Sequence, residues 1–333
     1  MPDSLEPSSE PEADQMLAGT VAVVTGSGRG IGRAHAMRLA AYGAKVVVND
    51  LGVAADGSPT SETPAEEVVA AIRAAGGEAV ADASDISTAT GGEAVIQRAL
   101  DEWGQINIVV NNAGFGRPRM VFNLEEDEWD DVIRVHLKGT FSVTAPATRW
   151  WRREAKAGRP VYGRVVNTST GLLVIGGAGQ SNYVAAKAGI LAFGEAIATE
   201  LEPYGVTVNT ILPGARTRLA AVGWRTARNA ARGPQEFDNQ SPVHVAELVC
   251  YLASPYAQYM SGQSFQVSGA RIEHVHTFVG AELLQRTDRG WTAGDLKGEM
   301  PRLFGVGPYR SDPPPKEWQE QYHAKGTAST APS

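Results

Sequence analysis

Val21-Ala22-Val23-Val24-Thr25 runs straight into Gly26-Ser27-Gly28-Arg29-Gly30-Ile31-Gly32, and a helical pattern follows to about Ala40, closing near Gly43. Five apolar, mostly β-branched residues have the length and composition of a buried strand. Strand, glycine turn and helix in succession form the context that a phosphate-binding turn needs. Glycines let the backbone approach a pyrophosphate, and a helix N-terminus offers free N–H groups and the positive end of a dipole. An ordinary glycine-rich loop is the plainer reading, and the flanks on both sides weigh against it. Gly26, Arg29, Gly30, Ile31 and Gly32 are therefore expected to hold a nucleotide.

Moving outward, Lys45-Val46-Val47-Val48-Asn49-Asp50 is a second buried strand ending in an acid. Asp50 lies twenty residues after Gly30, where a carboxylate accepts hydrogen bonds from ribose hydroxyls. It also repels a 2′-phosphate and argues for NAD over NADP. Arg29 argues the other way, because a cation in the glycine loop can meet that phosphate. Repulsion at the ribose is the more direct effect, so NAD is the expected cofactor. Polar residues from Gly52 to Pro64 read as a surface loop, followed by a helix to about Ala75 and a short strand at Glu78 to Ala81. Asp85 and Ile86 leave that strand, with Asp85 placed to face an adenine. A helix to Trp103 precedes a fourth strand, Ile106 to Val110, which ends at Asn111-Asn112-Ala113-Gly114. A long helical region from about Glu125 carries Trp129, Val132, Ile133, His136, Thr140, Phe141 and Val143. Arg164 to Ser169 and Val206 to Leu212 are the fifth and sixth strands, the latter broken by Pro213-Gly214. Alternating strands and helices predict a doubly wound α/β fold, one parallel sheet with helices on both faces. Ligands bind such sheets past the C-terminal strand ends, and all of these motifs fall at such ends.

Tyr183-Val184-Ala185-Ala186-Lys187 places a phenol and an ammonium one helical turn apart on one face. Tyrosine alone, with a pKa of about 10, is a poor acid or base near neutrality. A nearby ammonium favours the phenolate and is expected to lower that value. The spacing also arises on ordinary amphipathic helices, so the pair gains meaning only from the strand ends around it.

Composition bounds the rest. The chain has 333 residues, 43% hydrophobic and 20% charged, enough for a full-sized core. A net charge of −7 gives no basic footprint for nucleic acid or an anionic membrane. The single cysteine, Cys250, excludes an intramolecular disulfide and a cysteine-based zinc site, and no metal site is expected. Residues 1–16 are acidic and rich in Pro and Ser, and read as a disordered tail rather than a signal peptide. No apolar stretch suits a membrane span. The last residues, Ala331-Pro332-Ser333, are not a peroxisomal address, and a cytoplasmic location is the default.

Taken in order, Thr25-Gly26-x-x-x-Gly30-Ile31-Gly32, Asp85, Asn111-Asn112-Ala113-Gly114, Tyr183-x-x-x-Lys187 and Pro213-Gly214 resemble the motifs of the short-chain dehydrogenases/reductases. Ser261 to Gly269 resembles that family's last strand, so the likeness covers roughly residues 19–269. The resemblance implies a Rossmann-type fold over residues 17–270 and hydride transfer between NAD(H) and a secondary alcohol or ketone. It implies Tyr183 as general acid or base and Lys187 as the group that lowers its pKa and holds the nicotinamide ribose. Leu51, Asn112, Ala113, Gly114, Pro213, Gly214 and Thr217 join the implied cofactor-binding set. Two positions depart from the family pattern. Thr170 stands thirteen residues before Tyr183, where a serine is usual. Thr170 is expected to take over, with Ser169 as the fallback. His136 stands where the family has a helix asparagine that anchors a relay water. The histidine is either simply packed or part of that relay, and an imidazole there would be expected to titrate near neutrality.

Val47 to Gly52, the polar loop after it and Gly179 to Tyr183 resemble a narrower group, the (3R)-hydroxyacyl-CoA dehydrogenase units of multifunctional β-oxidation enzymes. Some of those also act on 17β-hydroxysteroids. A CoA-linked or other hydrophobic small-molecule substrate and a homodimer or homotetramer follow as expectations. Arg216 to Gln240 is expected to cover the substrate, with Leu219, Val222 and Trp224 for apolar groups. Its arginines either meet a phosphate or carboxylate or form a solvated face. Residues 271–322 carry Phe278, Leu283, Trp291, Phe304, Tyr309 and Trp318, and read as an arm packed on the body or a neighbouring subunit. Residues 323–333 read as a second tail. The opposing reading of the whole chain is a nucleotide-binding scaffold or sensor that has lost its chemistry, supported only by His136 and Thr170.

Overall fold

Alternation along the first strand assigns the two layers of helices. In β1 (Val21–Thr25), Ala22 and Val24 pack into one core, and Val21 and Val23 into another. Side chains two apart share a face of a strand, so a strand buried on both sides must be apolar throughout. The first core takes in helices α1 (Gly30–Ala41) and α2 (Pro64–Ala74). The second takes in α3 (Ala89–Trp103). A computed structural model of the chain describes residues 15–54, 56–58, 63–175, 177–216, 237–276 and 291–296. The chain divides into two units, Met1–His276 and Thr277–Ser333.

The first unit continues with β2 (Lys45–Asn49), β3 (Ala79–Asp82), β4 (Ile108–Asn111), β5 (Gly163–Thr168), β6 (Val206–Pro213), β7 (Gln263–Ser268) and β8 (Arg271–Val275). They form one sheet in the order β3-β2-β1-β4-β5-β6-β7-β8. Every pairing is parallel except the last, β7 with β8. The order reverses direction at β1, which pairs with both β2 and β4. That reversal opens the crevice in which an open α/β sheet takes its ligand. The expected doubly wound architecture is the observed one.

The remaining helices are α4 (Glu126–Ile133), α5 (Gly139–Lys156), a short α6 (Leu172–Ile175), α7 (Ser181–Leu201) and α8 (Pro242–Ala253). Residues of α8 join the core of α1 and α2, and those of α5 and α7 join the core of α3. Trp151 of α5 is fully buried and donates its indole N–H to the Ile106 carbonyl at 2.7 Å.

Two elements differ from the sequence reading. The long helical region after Glu125 is interrupted by a π turn, Arg134–Lys138, between α4 and α5. Strand β8 follows β7 at once, in residues read as the start of the arm. Its side chains are mostly exposed, and such an edge strand carries no alternation of burial for a sequence to display. The lid region 217–236, and 1–14, 277–290 and 297–333, lie outside the described residues, so the expectations for Thr217, for the lid and for most of the arm fall there. No helix among the described residues is long and apolar enough to cross a membrane.

Candidate active site

The glycine turn is held from β4, because the sheet order sets β4 beside β1. Thr25 Oγ1 accepts from the backbone N–H groups of Asn112 at 3.0 Å and Ala113 at 3.1 Å. Asn112 Nδ2 donates to the carbonyls of Thr25 at 3.0 Å and Gly26 at 3.1 Å. Gly26 has φ 61, and a Cβ on it would lie 2.6 Å from Ala113 Cα. Only glycine accepts both the left-handed conformation and that approach. At the start of α1, Arg29 gives no side-chain cap and the first turn holds no acid. The orphan N–H groups of this twelve-residue helix, carrying Gly30, Ile31 and Gly32, are thus left for an anion. These residues fit the pyrophosphate of a dinucleotide.

Asp50 lies at the next strand end. Its carboxylate accepts from Gly28 N–H at 2.8 Å and from Gly52 N–H at 2.9 Å, so it braces the turn it would share with a ribose. Leu51 beside it is exposed. Arg29 Nη1 lies 2.6 Å from Glu67 Oε2 and Nη2 lies 3.3 Å from Oε1, across to α2. Asp85 Oδ1 accepts from Ser87 N–H at 3.0 Å, and Ile86 is buried below. At the far side Gly214, after Pro213, donates to the Val267 carbonyl at 2.7 Å.

The start of α7 aims the Tyr–Lys pair. Asn182 accepts from Tyr183 N–H at 2.7 Å, and its amide donates to the carbonyls of Arg117 at 3.2 Å and Glu128 at 3.3 Å. Lys187 is buried, donates to the Thr168 carbonyl at 2.7 Å, and lies 5.7 Å from the Tyr183 ring centroid. The two adjacent hydroxyls part company. Ser169 donates to the Lys187 carbonyl at 2.9 Å, tying the end of β5 to α7, whereas Thr170 Oγ1 accepts from Leu172 N–H at 3.3 Å and stands by the Tyr183 side chain. His136 sits in the π turn, an insertion frequent at functional sites, and is buried. Its ring meets Tyr183 edge-on at 5.3 Å. Nε2 lies 2.8 Å from the Phe115 carbonyl oxygen and 3.2 Å from the Phe115 nitrogen. A neutral ring that donates to the oxygen leaves Nδ1 as an acceptor, and Nδ1 has no hydrogen-bond partner among the described residues. Gly114 allows this packing, for a Cβ there would run into the imidazole.

Electrostatics in this pocket is governed by burial. Burial pushes the Lys187 ammonium down to about 7 and raises the Tyr183 phenol, while Thr170 draws the phenol back. Burial is the leading influence on both members of the pair. The ammonium turns to Thr168 and lies over the ring. His136 is lowered to about 3, chiefly by burial and further by Lys187, against a smaller rise from the Phe115 bond. The expectation that this imidazole titrates near neutrality is overturned, because a closed pocket with a cation nearby disfavours imidazolium.

Two participants carried no signal of their own. Phe115 simply follows the glycine, and Glu67 is one of two adjacent acids on α2. Only the spatial neighbours of these residues reveal what they hold.

A dinucleotide turn at the sheet's switch point, facing a Tyr–Lys–Thr cluster on the next strand and helix, defines an oxidoreductase of CH–OH groups. The chain belongs to the short chain dehydrogenase family, whose match spans residues 20–224. It is 46% identical over 258 residues to hydroxyacyl-CoA dehydrogenase ChsB1 of Mycobacterium tuberculosis, covering 77% of this chain and 79% of that protein. It is 42% identical over 201 residues to peroxisomal multifunctional enzyme type 2 of Mus musculus, covering 60% of this chain and 26% of that much longer protein. A crystal structure of a short chain dehydrogenase from Mycobacterium avium superposes with a TM-score of 0.77 at 42% identity, covering 88% of this chain and 97% of that one.

Proposed function

We propose that the protein oxidises (3R)-3-hydroxyacyl-CoA thioesters, or reduces the corresponding ketones, with NAD(H). The observation that carries this reading is Tyr183 beside Thr170 and one helical turn from the buried Lys187, whose Nζ lies 5.7 Å from the Tyr183 ring centroid, at the strand ends where the dinucleotide turn lies. The thioester class is supported by the names of the hydroxyacyl-CoA dehydrogenase and of the multifunctional enzyme that the chain resembles. NAD is supported by Asp50 at the end of β2 and by the engagement of Arg29 with Glu67.

Bound nicotinamide would accept or return the hydride. The chain's own residues handle the proton and the geometry. Thr170 Oγ1 polarises the substrate oxygen and keeps the Tyr183 hydroxyl aligned. Tyr183 takes the proton in oxidation and gives it back in reduction. With Lys187 charged one turn away, the phenolate of Tyr183 is favoured. The remaining donors of Lys187 suit the ribose hydroxyls. His136 stays neutral and fixes Phe115 and the β4 loop beside the reacting groups. We read the assembly as a homodimer or homotetramer. In support, Trp129 and Phe141 are exposed on α4 and α5, with Phe141 edge-on to Phe193 of α7 at 6.4 Å.

The test is nicotinamide absorbance with a panel of (3R)- and (3S)-hydroxyacyl-CoAs, hydroxysteroids and small alcohols, each with NAD and with NADP. Turnover of the (3R)-thioesters with NAD is expected. Turnover of free sterols or small alcohols alone would overturn the thioester assignment and leave the dehydrogenase. Tyr183→Phe should lower turnover by ~10²–10⁴-fold, the usual scale of general acid–base catalysis, while NADH still binds in a fluorescence titration.

A further inference from the structure

The ribose corner of the cleft contains a device that the glycine turn and Asp50 do not explain. Arg29 is the only cation in the turn Gly26 to Gly32. It sits one residue after Gly28, which is boxed in: a Cβ there would lie 2.5 Å from Pro64 Cβ and 2.8 Å from Asp50 Oδ2. Arg29 is therefore on the Asp50 side of the turn, at the start of α2. There it meets Glu67 in a two-point, fork-to-carboxylate pairing at 2.6 and 3.3 Å. Glu67 is reached from a helix 38 residues further along the chain. The two oxygens of Asp50 also hold Gly28 and Gly52, so that carboxylate braces the same turn.

We propose that Glu67 is a cofactor-specificity residue: by engaging the Arg29 guanidinium it denies a 2′-phosphate the cation that the glycine turn would otherwise offer. NADP is then disfavoured twice, by the Asp50 carboxylate and by the Arg29–Glu67 pair. A guanidinium is a strong, two-point partner for phosphate, so an Arg29 no longer held by Glu67 would favour NADP. Glu67 touches neither cofactor nor substrate and acts through Arg29. The inference rests on the NAD reading above, and its test separates the two.

Dissociation constants of NADH and NADPH are measured by protein fluorescence for the wild type, Glu67→Gln, and the double variant Arg29→Ala/Glu67→Gln, with kcat/KM for both cofactors alongside. Glu67 is largely exposed, so the substitution leaves the core intact. In Glu67→Gln the preference for NADPH relative to NADH should rise about fivefold, the scale of one exposed charge pair, and the rise should shrink at high salt. The double variant should lose the gain, since Arg29 is its agent. An unchanged ratio in Glu67→Gln, or the same gain in the double variant, would overturn the role of Glu67. A wild type that itself prefers NADPH would overturn the NAD reading, while the change between wild type and Glu67→Gln still decides the clamp.

Discussion

Ser169 and Thr170 are neighbours with separate duties. Ser169 is committed to the Lys187 carbonyl, whereas Thr170 stands by the Tyr183 side chain. The sequence puts Thr170 first, from its place thirteen residues before Tyr183 in the family pattern, with Ser169 as the fallback. In the structure both lie just past the end of β5 at Thr168, where the two side chains turn to different partners. Thr170→Ala should therefore lower kcat by ~10²-fold, as loss of a donor to a reacting oxygen does, and Thr170→Ser should restore most of it. Ser169→Ala should leave catalysis largely in place and reduce stability by about 1 kcal/mol, measured by urea denaturation, as loss of one buried hydrogen bond does. The reverse pattern would hand the role to Ser169.

Between elements, the β4 loop and the π turn share one contact, Gly114 and Phe115 against His136. The helical periodicity around Val132, His136 and Val143 is plain in the sequence, yet the inserted π residue is not, because one extra residue per turn leaves both flanking faces apolar. The parallel strands were legible for the opposite reason: strands buried on both sides must be continuous apolar runs. Strand β8, exposed and charged, left no such trace. Gly114→Ala should force the imidazole aside and cost about 1–3 kcal/mol in denaturant unfolding, with a fall in turnover. Adding His136→Ala should recover part of the stability, so the pair departs from additivity. Additive losses would mean that the two residues are not in contact.

For the molecule as a whole, two interior imidazoles set a lower limit of pH. His35 on α1 is fully buried, neither ring nitrogen has a hydrogen-bond partner among the described residues, and burial pushes it down to about 3, like His136. Unfolded, each would titrate at about 6.5. Above that value neither state binds the proton and nothing is lost. Below it the unfolded chain takes up protons that the folded chain refuses. Stability should then fall by ~1.4 kcal/mol per pH unit for each histidine until the folded values are reached. Urea midpoints measured between about pH 7 and about pH 4 should show this slope. His35→Leu, which removes two orphaned polar atoms, should reduce the slope and stabilise the fold at the acid end. An unchanged slope would place the acid sensitivity elsewhere. The pairing of Arg29 with Glu67 belongs to this scale too. It joins residues from separate elements, and no local pattern announces it.

The placing of β1 between β2 and β4 also governs when the protein can become an enzyme during its own synthesis. Val21 exchanges hydrogen bonds with Asn107 across 86 positions of chain, and the bonds that seat Asn112 on Thr25 lie further along still. A nascent chain that has completed the glycine turn, the first helix and Asp50 thus holds the residues of the pyrophosphate turn and the brace from Asp50, but not the bracing from the end of β4. Contacts this distant in sequence form late and slowly. The emerging half-domain should have little hold on a dinucleotide, so the nicotinamide cofactor would act on the finished fold, as a stabiliser of the native state, rather than as a guide to its assembly.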